Sequence, residues 1–459
     1  GFNNGTISNS YYDAVSTNQN GKPVNGTTHA GVTDISSNRY IYQSYNNLGT
    51  WSLLAGTTNV YVAKDASNQN QWVMIEGQTR PFLWSEYSTN INNLHQLQLM
   101  AVDLTKNYTV HHNIDATATN GVNTSDMWST AGFNPIGNNS NGFTGKFDGL
   151  NHTISDLTIN RPSQDYVGLF GATNNATIQN IGLIQANVRG NWGVGALIGE
   201  ANSTNTSNAF STGLVNGDTA VGGLVGRNLN QSNILSSYSN AQVTATNSFA
   251  GGLSGTNQFS SRIENSYATG AVQAQGSNSQ AGGLSGNNYT NSVIKNSYAT
   301  GAVSGIENVG GLLGNNNSST VENSYATGQV TRTSGSAITF GGLVGWTGGT
   351  IKNSYWNSAT TGQTQAVGDN SGNLTSVVGL TTAQMFNKNS LSGFDFDIIW
   401  NNADNQTTPY FKNHVGLNSV FNKNDSTNAL YNVIQNIHHL QGVNNNLGGK
   451  YVLGNHIEA

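Results

Sequence analysis

A hexapeptide that keeps returning sets the limits on what this chain can fold into. Val221-Gly222-Gly223-Leu224-Val225-Gly226 is followed by a copy at Ala250 to Gly255, then by others at Ala281 to Gly286, Val309 to Gly314 and Phe340 to Gly345. Two looser copies, Tyr166 to Gly171 and Val194 to Gly199, come before them. The central leucines are Leu169, Leu197, Leu224, Leu253, Leu284, Leu312 and Leu343, spaced by 28, 27, 29, 31, 28 and 31 residues. A second motif lies between the copies: Ile263-Glu264-Asn265-Ser266-Tyr267-Ala268-Thr269-Gly270, matched by Ile294 to Gly301 and Val321 to Gly328. Ile351 to Tyr355 and Ile7 to Tyr11 repeat its first half, and Ile234 to Tyr238 and Ser207 to Gly213 are weaker versions. A period of about 29 residues implies a solenoid, one coil per repeat, in which each coil buries its apolar face against its neighbours.

Within a repeat, Ile263, Asn265 and Tyr267 alternate with Glu264, Ser266 and Ala268, which predicts a strand with one buried face. A second short strand is expected after the Thr-Gly turn, marked by Val215, Val243, Val272, Val303 and Val330. The Gly-Gly-Leu-x-Gly segment is expected to be a third, its glycines serving positive φ at corners and close approach of coils. Asn, Gly and β-branched residues dominate without a 3.6-residue period, so helix is disfavoured. The predicted fold class is all-β, a parallel β-helix (β-solenoid) with irregular inter-module segments. Its coils stack at about 4.8 Å, so seven of them span roughly 34 Å.

Such stacking explains the composition. Lys and Arg number 17 and Asp and Glu 22, together 8% of 459 residues, against about 25% in an ordinary globular chain. There are 56 Gly, 71 Asn, 5 Pro and no Cys. A net charge of −5 offers no basic surface for nucleic acid. No apolar run reaches the roughly 20 residues of a membrane span, and Gly lacks the strict third-residue period of collagen. Without Cys there is neither a disulfide framework nor a thiolate metal site.

Stacking also places equivalent residues over one another. Asn265, Asn296, Asn323 and Asn353 are expected to form an amide ladder. Tyr238, Tyr267, Tyr298, Tyr325 and Tyr355 are expected to form an aromatic stack. The position after the Ile or Val reads Glu264, Lys295, Glu322, Lys352, a sign alternation that spares adjacent strands like-charge pairs.

A larger unit contains these repeats. Gly5 to Tyr11 matches Gly349 to Tyr355 at an offset of 344. Leu97-Gln98, Leu104, Tyr108 and Ile114-Asp115-Ala116 match Leu440-Gln441, Leu447, Tyr451 and Ile457-Glu458-Ala459 at an offset of 343. Trp72 and Pro81 match Trp400 and Pro409 at an offset of 328. The expected organisation is the tail of a preceding module over 1–13, an irregular or side-domain segment over 14–93 and a β-helix of seven coils over 94–357. An irregular closing segment over 358–433 and the start of the next module over 434–459 complete it. A start at Gly1 without Met or signal peptide reads as a processed piece.

The Gly-Gly-Leu-x-Gly segments with interleaved Ile-x-Asn-Ser-Tyr-Ala-Thr-Gly resemble GLUG repeats. Phe143-Thr144-Gly145-Lys146-Phe147-Asp148-Gly149-Leu150-Asn151-His152-Thr153-Ile154 is similar to the strand pair that precedes such repeats. Gly379 to Met385, with Phe394-Asp395-Phe396 and Trp400, resembles the segment that closes them. The whole is similar to GLUG-repeat, filamentous-haemagglutinin-like surface exoproteins of Gram-negative bacteria, many of them adhesins exported by two-partner secretion. The resemblance implies an extracellular or bacterial cell-surface location and a structural or adhesive role. Implied partners are a host or neighbouring-cell surface, glycans or matrix, with end-to-end self-association into a filament. GLUG repeats also occur as spacers in surface proteases.

No catalytic motif emerges from the sequence, and no catalytic residue, cofactor or metal site is expected. The alternatives are a polysaccharide-binding or polysaccharide-cleaving β-helix, which needs clustered carboxylates on one face, and a spacer within a larger surface enzyme. Charges between 219 and 350 are mostly single and at repeat positions, and Asp148 and Asp156 read as turn residues. His111-His112 and His438-His439 cannot chelate well as strand neighbours, because adjacent side chains point to opposite faces. Trp192, Trp346 and Trp356 lie in or beside repeats and Trp51, Trp72 and Trp84 outside them; packing is the leading reading and sugar stacking the alternative. Of the many Asn-x-Ser/Thr sequons, Asn107, Asn151, Asn175, Asn202, Asn230 and Asn288 are candidate glycosylation sites.

Overall fold

The computed structural model describes residues 10–12, 32–35, 37–121, 127–333, 339–402, 406–412, 420–421, 431–434, 440, 443 and 451–453. The repeats wind into a parallel β-solenoid. One interior column runs Tyr108, Phe147, Ile178, Thr206, Ile234, Ile263, Ile294, Val321 and Ile351, each paired in register with the next coil. The valines from Val215 to Val330 form a second column in register. A separate eight-stranded parallel sheet carries the residues that follow the central leucines. All seven leucines are fully buried, and backbone bonds of 2.8–3.0 Å tie Leu197, Leu224, Leu253, Leu284, Leu312 and Leu343 from coil to coil.

Two expectations are corrected within the coil. The alternating strand is broken at its asparagine: Asn265, Asn296, Asn323 and Asn353 sit at φ 50°, 46°, 49° and 47°. Asn tolerates this left-handed conformation better than most residues. The turn sends Ile263 and Ala268 into the interior cluster and Tyr267 into a different one. The following serine then satisfies the backbone that the corner would orphan. Ser237, Ser266, Ser297 and Ser324 each donate their N–H to the hydroxyl of the serine one coil on, at 3.1–3.4 Å. Nor is Gly-Gly-Leu-x-Gly a strand. Gln242–Gly251 ends within it and Ser254–Gln258 begins at its fourth residue, so the motif is the corner between two sheets. None of its glycines is among the positive-φ residues. Their role is close approach: a Cβ on Gly252 would lie 2.2 Å from the Gly283 carbonyl oxygen of the adjacent coil.

The first coil is closed by a short helix, Leu94–Leu99, capped by the Asn93 side chain accepting from Gln96 N–H at 3.0 Å. Its Leu94, Leu97 and Leu99 join the interior cluster. Ahead of it lies a four-stranded antiparallel sheet, Thr50–Leu53, Val60–Lys64, Asn70–Ile75 and Phe82–Leu83. Val62, Val73 and Phe82 on one face join the solenoid interior, while Met74 on the other packs with Ile35 and Tyr45. Arg161, buried and held by Gln78 (2.7 Å) and the Phe133 carbonyl (3.3 Å), ties this sheet to the solenoid. Along Asn373–Leu380, the last coil's strand among the described residues, Leu374 and Val378 are 40% and 45% exposed.

Two strand pairings have counterparts at the matched positions. Asn90 pairs with Thr109 and Ile91 with Val110; at the offset of 343, Val433 pairs with Val452 and Ile434 with Leu453, also parallel. Trp72 pairs with Leu83 and Val73 with Phe82; at the offset of 328, Trp400 pairs with Phe411 and Asn401 with Tyr410, also antiparallel.

Candidate functional site

The most built feature outside the interior is an aromatic column on the outer side of the coils. Phe210, Tyr238, Tyr267, Tyr298 and Tyr325 stack at 5.0, 4.8, 4.7 and 5.0 Å between centroids, with interplanar angles of 4° or less. Parallel coils spaced by about 4.8 Å dictate that separation. Phe210 heads the column, and Gly182 in the coil before makes room for it: a Cβ there would lie 2.1 Å from the ring.

The column is roofed by the closing segment. Trp400 lies 6.0 Å from both Tyr298 and Tyr325, and Phe411 lies 5.4 Å from Tyr298 and 6.2 Å from Tyr267. Leu380, Met385, Leu391 and Phe394 complete the cover. Tyr355 meets Phe394 edge-on at 5.6 Å and donates its hydroxyl to the Ser392 carbonyl at 2.9 Å. The Tyr325 hydroxyl donates to the Pro409 carbonyl. Burial pushes the Tyr238, Tyr298 and Tyr325 phenols well above their ordinary range, since a phenolate cannot be solvated there.

The asparagines form two ladders, and the sequence reading names only one. In the corner ladder, Asn296 Nδ2 donates to Asn265 Oδ1 at 3.2 Å and Asn323 Nδ2 to Asn296 Oδ1 at 3.3 Å. Asn353 stands at the same corner, against Gly393 of the closing segment. The second ladder is interior. Asn228, Asn257, Asn288 and Asn316 are all fully buried, each Nδ2 donating along the column at 2.7, 2.9, 2.9 and 3.0 Å, the last to the Thr347 hydroxyl. Asn228, Asn257, Asn288 and Asn316 each stand four residues after a repeat leucine, which is the only signal they give in a chain so rich in Asn.

That ladder corrects one glycosylation candidate. Asn288 has no exposure, and its amide nitrogen is engaged, so it cannot carry a glycan in the folded coil. Asn107, Asn151, Asn175 and Asn230 are exposed and Asn202 is half-buried. Of the alternating charges, Glu322 and Lys352 close an ion pair at 3.3 Å, whereas Glu264 pairs with Arg262 of its own strand at 2.6 Å.

Asp148, Asp165, Glu200, Asp218, Glu264 and Glu322 each engage a cation, amide or hydroxyl. Burial raises the Asp148 carboxyl, but Asn180, the Leu150 N–H, Lys146 and Gln179 outweigh it, leaving it below its usual range. Desolvation raises the Glu200 carboxyl against the pull of Arg227, with which it is ion-paired. Arg227 also covers the Trp192 ring at 4.0 Å, taking the face on which a sugar would stack. His111 hydrogen-bonds Thr109 at 2.9 Å and His112 hydrogen-bonds Asn92 at 3.0 Å, while His438 and His439 lie outside the described residues. Among the described residues no group of three or more His, Asp or Glu side chains could hold a metal, and no helix is long and apolar enough to cross a membrane.

Comparison with known proteins agrees with the repeat. The GLUG motif matches residues 217–244, 277–304 and 305–331. Over 321 residues, 68% of this chain, the sequence is 37% identical to halomucin of Haloquadratum walsbyi (strain DSM 16790 / HBSQ001). The chain spans 3% of the length of that relative. A crystal structure of a candidate immunoglobulin A1 protease from Bacteroides ovatus superposes with a TM-score of 0.46 at 21% identity, covering 70% of this chain and 91% of that one. A likeness that distant carries no argument about function. The chain is a repeat-rich parallel β-solenoid bearing GLUG motifs and similar over two thirds of its length to halomucin.

Proposed function

We propose that the chain is a non-enzymatic segment of a long, repetitive extracellular surface protein, an adhesin or filament of the filamentous-haemagglutinin-like kind its motifs resemble. The observation that carries this reading is that segments near one end of the chain recur near the other with the same strand pairing. One antiparallel hairpin and one parallel strand pair each recur once with the same register, at offsets of 328 and 343. A similarity to halomucin that spans 3% of that protein's length fits a piece of something much longer. The mechanism is mechanical and multivalent. Stacked coils make a stiff rod, and tandem modules multiply weak contacts with glycans or matrix into avidity. The last described strand of the coils, Asn373–Leu380, with Leu374 and Val378 exposed, is the edge at which subunits would join end to end.

A polysaccharide-cleaving β-helix would need two free carboxylates facing one groove. The engagement of Asp148, Glu200 and Glu322 by cations or amides favours the structural reading. Immunogold labelling of producing cells with an antibody to the coils tests it, together with electron microscopy of their secretions. Label along surface fibres is the expected result. Label confined to the cell interior, or only isolated capped monomers, would overturn it.

A further inference from the structure

The hairpin that roofs the tyrosine column exists in two copies with different surroundings. Their reverse faces agree: Phe82 is 1% exposed and its counterpart Tyr410 is 0%. Their front faces do not. Trp400 is fully buried and Phe411 is 5% exposed because Tyr267, Tyr298 and Tyr325 lie beneath them. The counterparts are bare by comparison: Trp72 is half-buried and Leu83 is 44% exposed. Leu53, which strand alternation places on the same face, is 48% exposed.

The difference has a definite geometric origin. Tyr11, the counterpart of Tyr355, meets Tyr45 at 5.1 Å, much as Tyr355 meets Phe394 at 5.6 Å. In the second copy the hairpin rests on the tyrosines of the three coils before Tyr355, not on Tyr355 alone. The three equivalent coils would have to stand ahead of residues 10–12. Another chain cannot lend its own column from the side, since that column already lies under Trp400 and Phe411.

We propose that Trp72 and Leu83 are a docking face for the tyrosine column of a second copy of these coils, stacked in register ahead of Ser10–Tyr12. Successive modules are then locked by a hairpin clasping the outer column of the module before. This rests on the modular reading above and adds the contact that joins the modules.

The test compares the full chain with the same chain carrying a second copy of residues 205–348 joined ahead of Gly5, a junction that preserves the match of Gly349 to Gly5. Hydroxyl-radical footprinting read by mass spectrometry reports each side chain, with Trp400 and Phe411 as internal standards. Trp72 and Leu83 are expected to fall from fast oxidation to the rates of Trp400 and Phe411. Replacing the added copies of Tyr267, Tyr298 and Tyr325 by Ser restores fast oxidation. Unchanged rates at Trp72 and Leu83 would overturn the proposal, as would protection that survives the Ser variant. An extension that adds no strand signal by circular dichroism would also overturn it, because in-register stacking is its premise. None of these failures touches the surface-rod reading, which is decided by where the protein is found and needs no lock between modules.

Discussion

The indole of Trp400 lies 6.0 Å from the ring of Tyr325, which stands two coils from the end of the solenoid. The chain therefore folds back along its own outer face, and the two fully buried aromatics bind that return path to the coils. Removing the indole leaves a cavity over the column. Trp400→Ala is expected to cost about 3–5 kcal/mol, measured as a loss of thermal stability and faster hydrogen exchange across 391–411. Far-UV circular dichroism should keep its strand signal, since the interior columns do not touch Trp400. An exchange pattern that accelerates equally in every coil would show that the cover is not a separate layer.

The interior amide ladder makes a sharper demand. Asn257 receives from Asn228 at 2.7 Å and donates to Asn288 at 2.9 Å, with no solvent to replace either bond. Asn257→Ala orphans a partner on each side, at about 1–3 kcal/mol per buried group. Asn257→Asp keeps the shape but turns the donor into an acceptor and buries a charge. Its carboxyl is expected to ionise well above the usual range, so this variant should gain stability relative to wild type as pH falls and the protonated acid donates to Asn288. Denaturant midpoints of both proteins at pH 4 and 7 check this. A gap that does not narrow at low pH would place the Asn257 amide outside the ladder.

The tyrosine column predicts an alkaline limit. The folded phenols of Tyr238, Tyr298 and Tyr325 are raised, by burial first of all, above the value of about 10 that they regain on unfolding. A group whose folded pKa is raised stabilises fully below its unfolded value and loses that contribution as pH climbs toward the folded one. Stability should therefore be unaffected by these groups below about pH 9 and decline above pH 10. Phenolate absorbance of the three should appear only with loss of strand signal. Reversible ionisation of all 18 tyrosines before unfolding would mean that the column is open to water.

How far the sequence discloses this arrangement depends on what is periodic. The coil, its columns of Ile, Leu and Val, and the parallel stacking are legible because a fixed spacing forces equivalent residues into one line. The face of each residue is less so. Period-2 alternation puts Asn265 and Tyr267 beside Ile263, but the left-handed turn at Asn265 reverses the sense and expels the tyrosine. An Asn-Ser pair at one place in every repeat is the available signal, because a left-handed corner suits Asn and a serine hydroxyl can take the stranded N–H. The cover is out of reach for another reason. Trp400 finds Tyr325 through a long segment that lacks the coil period, and nothing local encodes where such a segment lands. Asn288 shows the same limit, since a sequon motif carries no information about burial.

The Gly-Gly-Leu corner gives the last prediction, because it separates two uses of glycine. Gly252 has an ordinary negative-side backbone, and its constraint is space: a methyl group would meet the Gly283 carbonyl oxygen at 2.2 Å and the Ala268 methyl at 2.8 Å. Both obstacles belong to packed coils that cannot yield without opening the stack. Gly252→Ala is therefore expected to cost about 3 kcal/mol or more, at the upper end of overpacking. Gly56 is the opposite case, with φ at +80° and nothing within 4 Å of where a methyl group would sit. Gly56→Ala should cost only the left-handed penalty of about 1–2 kcal/mol. Thermal unfolding of the two variants side by side measures the difference, and hydrogen exchange locates it. Slow exchange should be lost in the coils on either side of Gly252 and kept throughout the solenoid in the Gly56 variant. Equal losses would mean that the corner glycines serve conformation, as at Gly56, and not the close approach of coils.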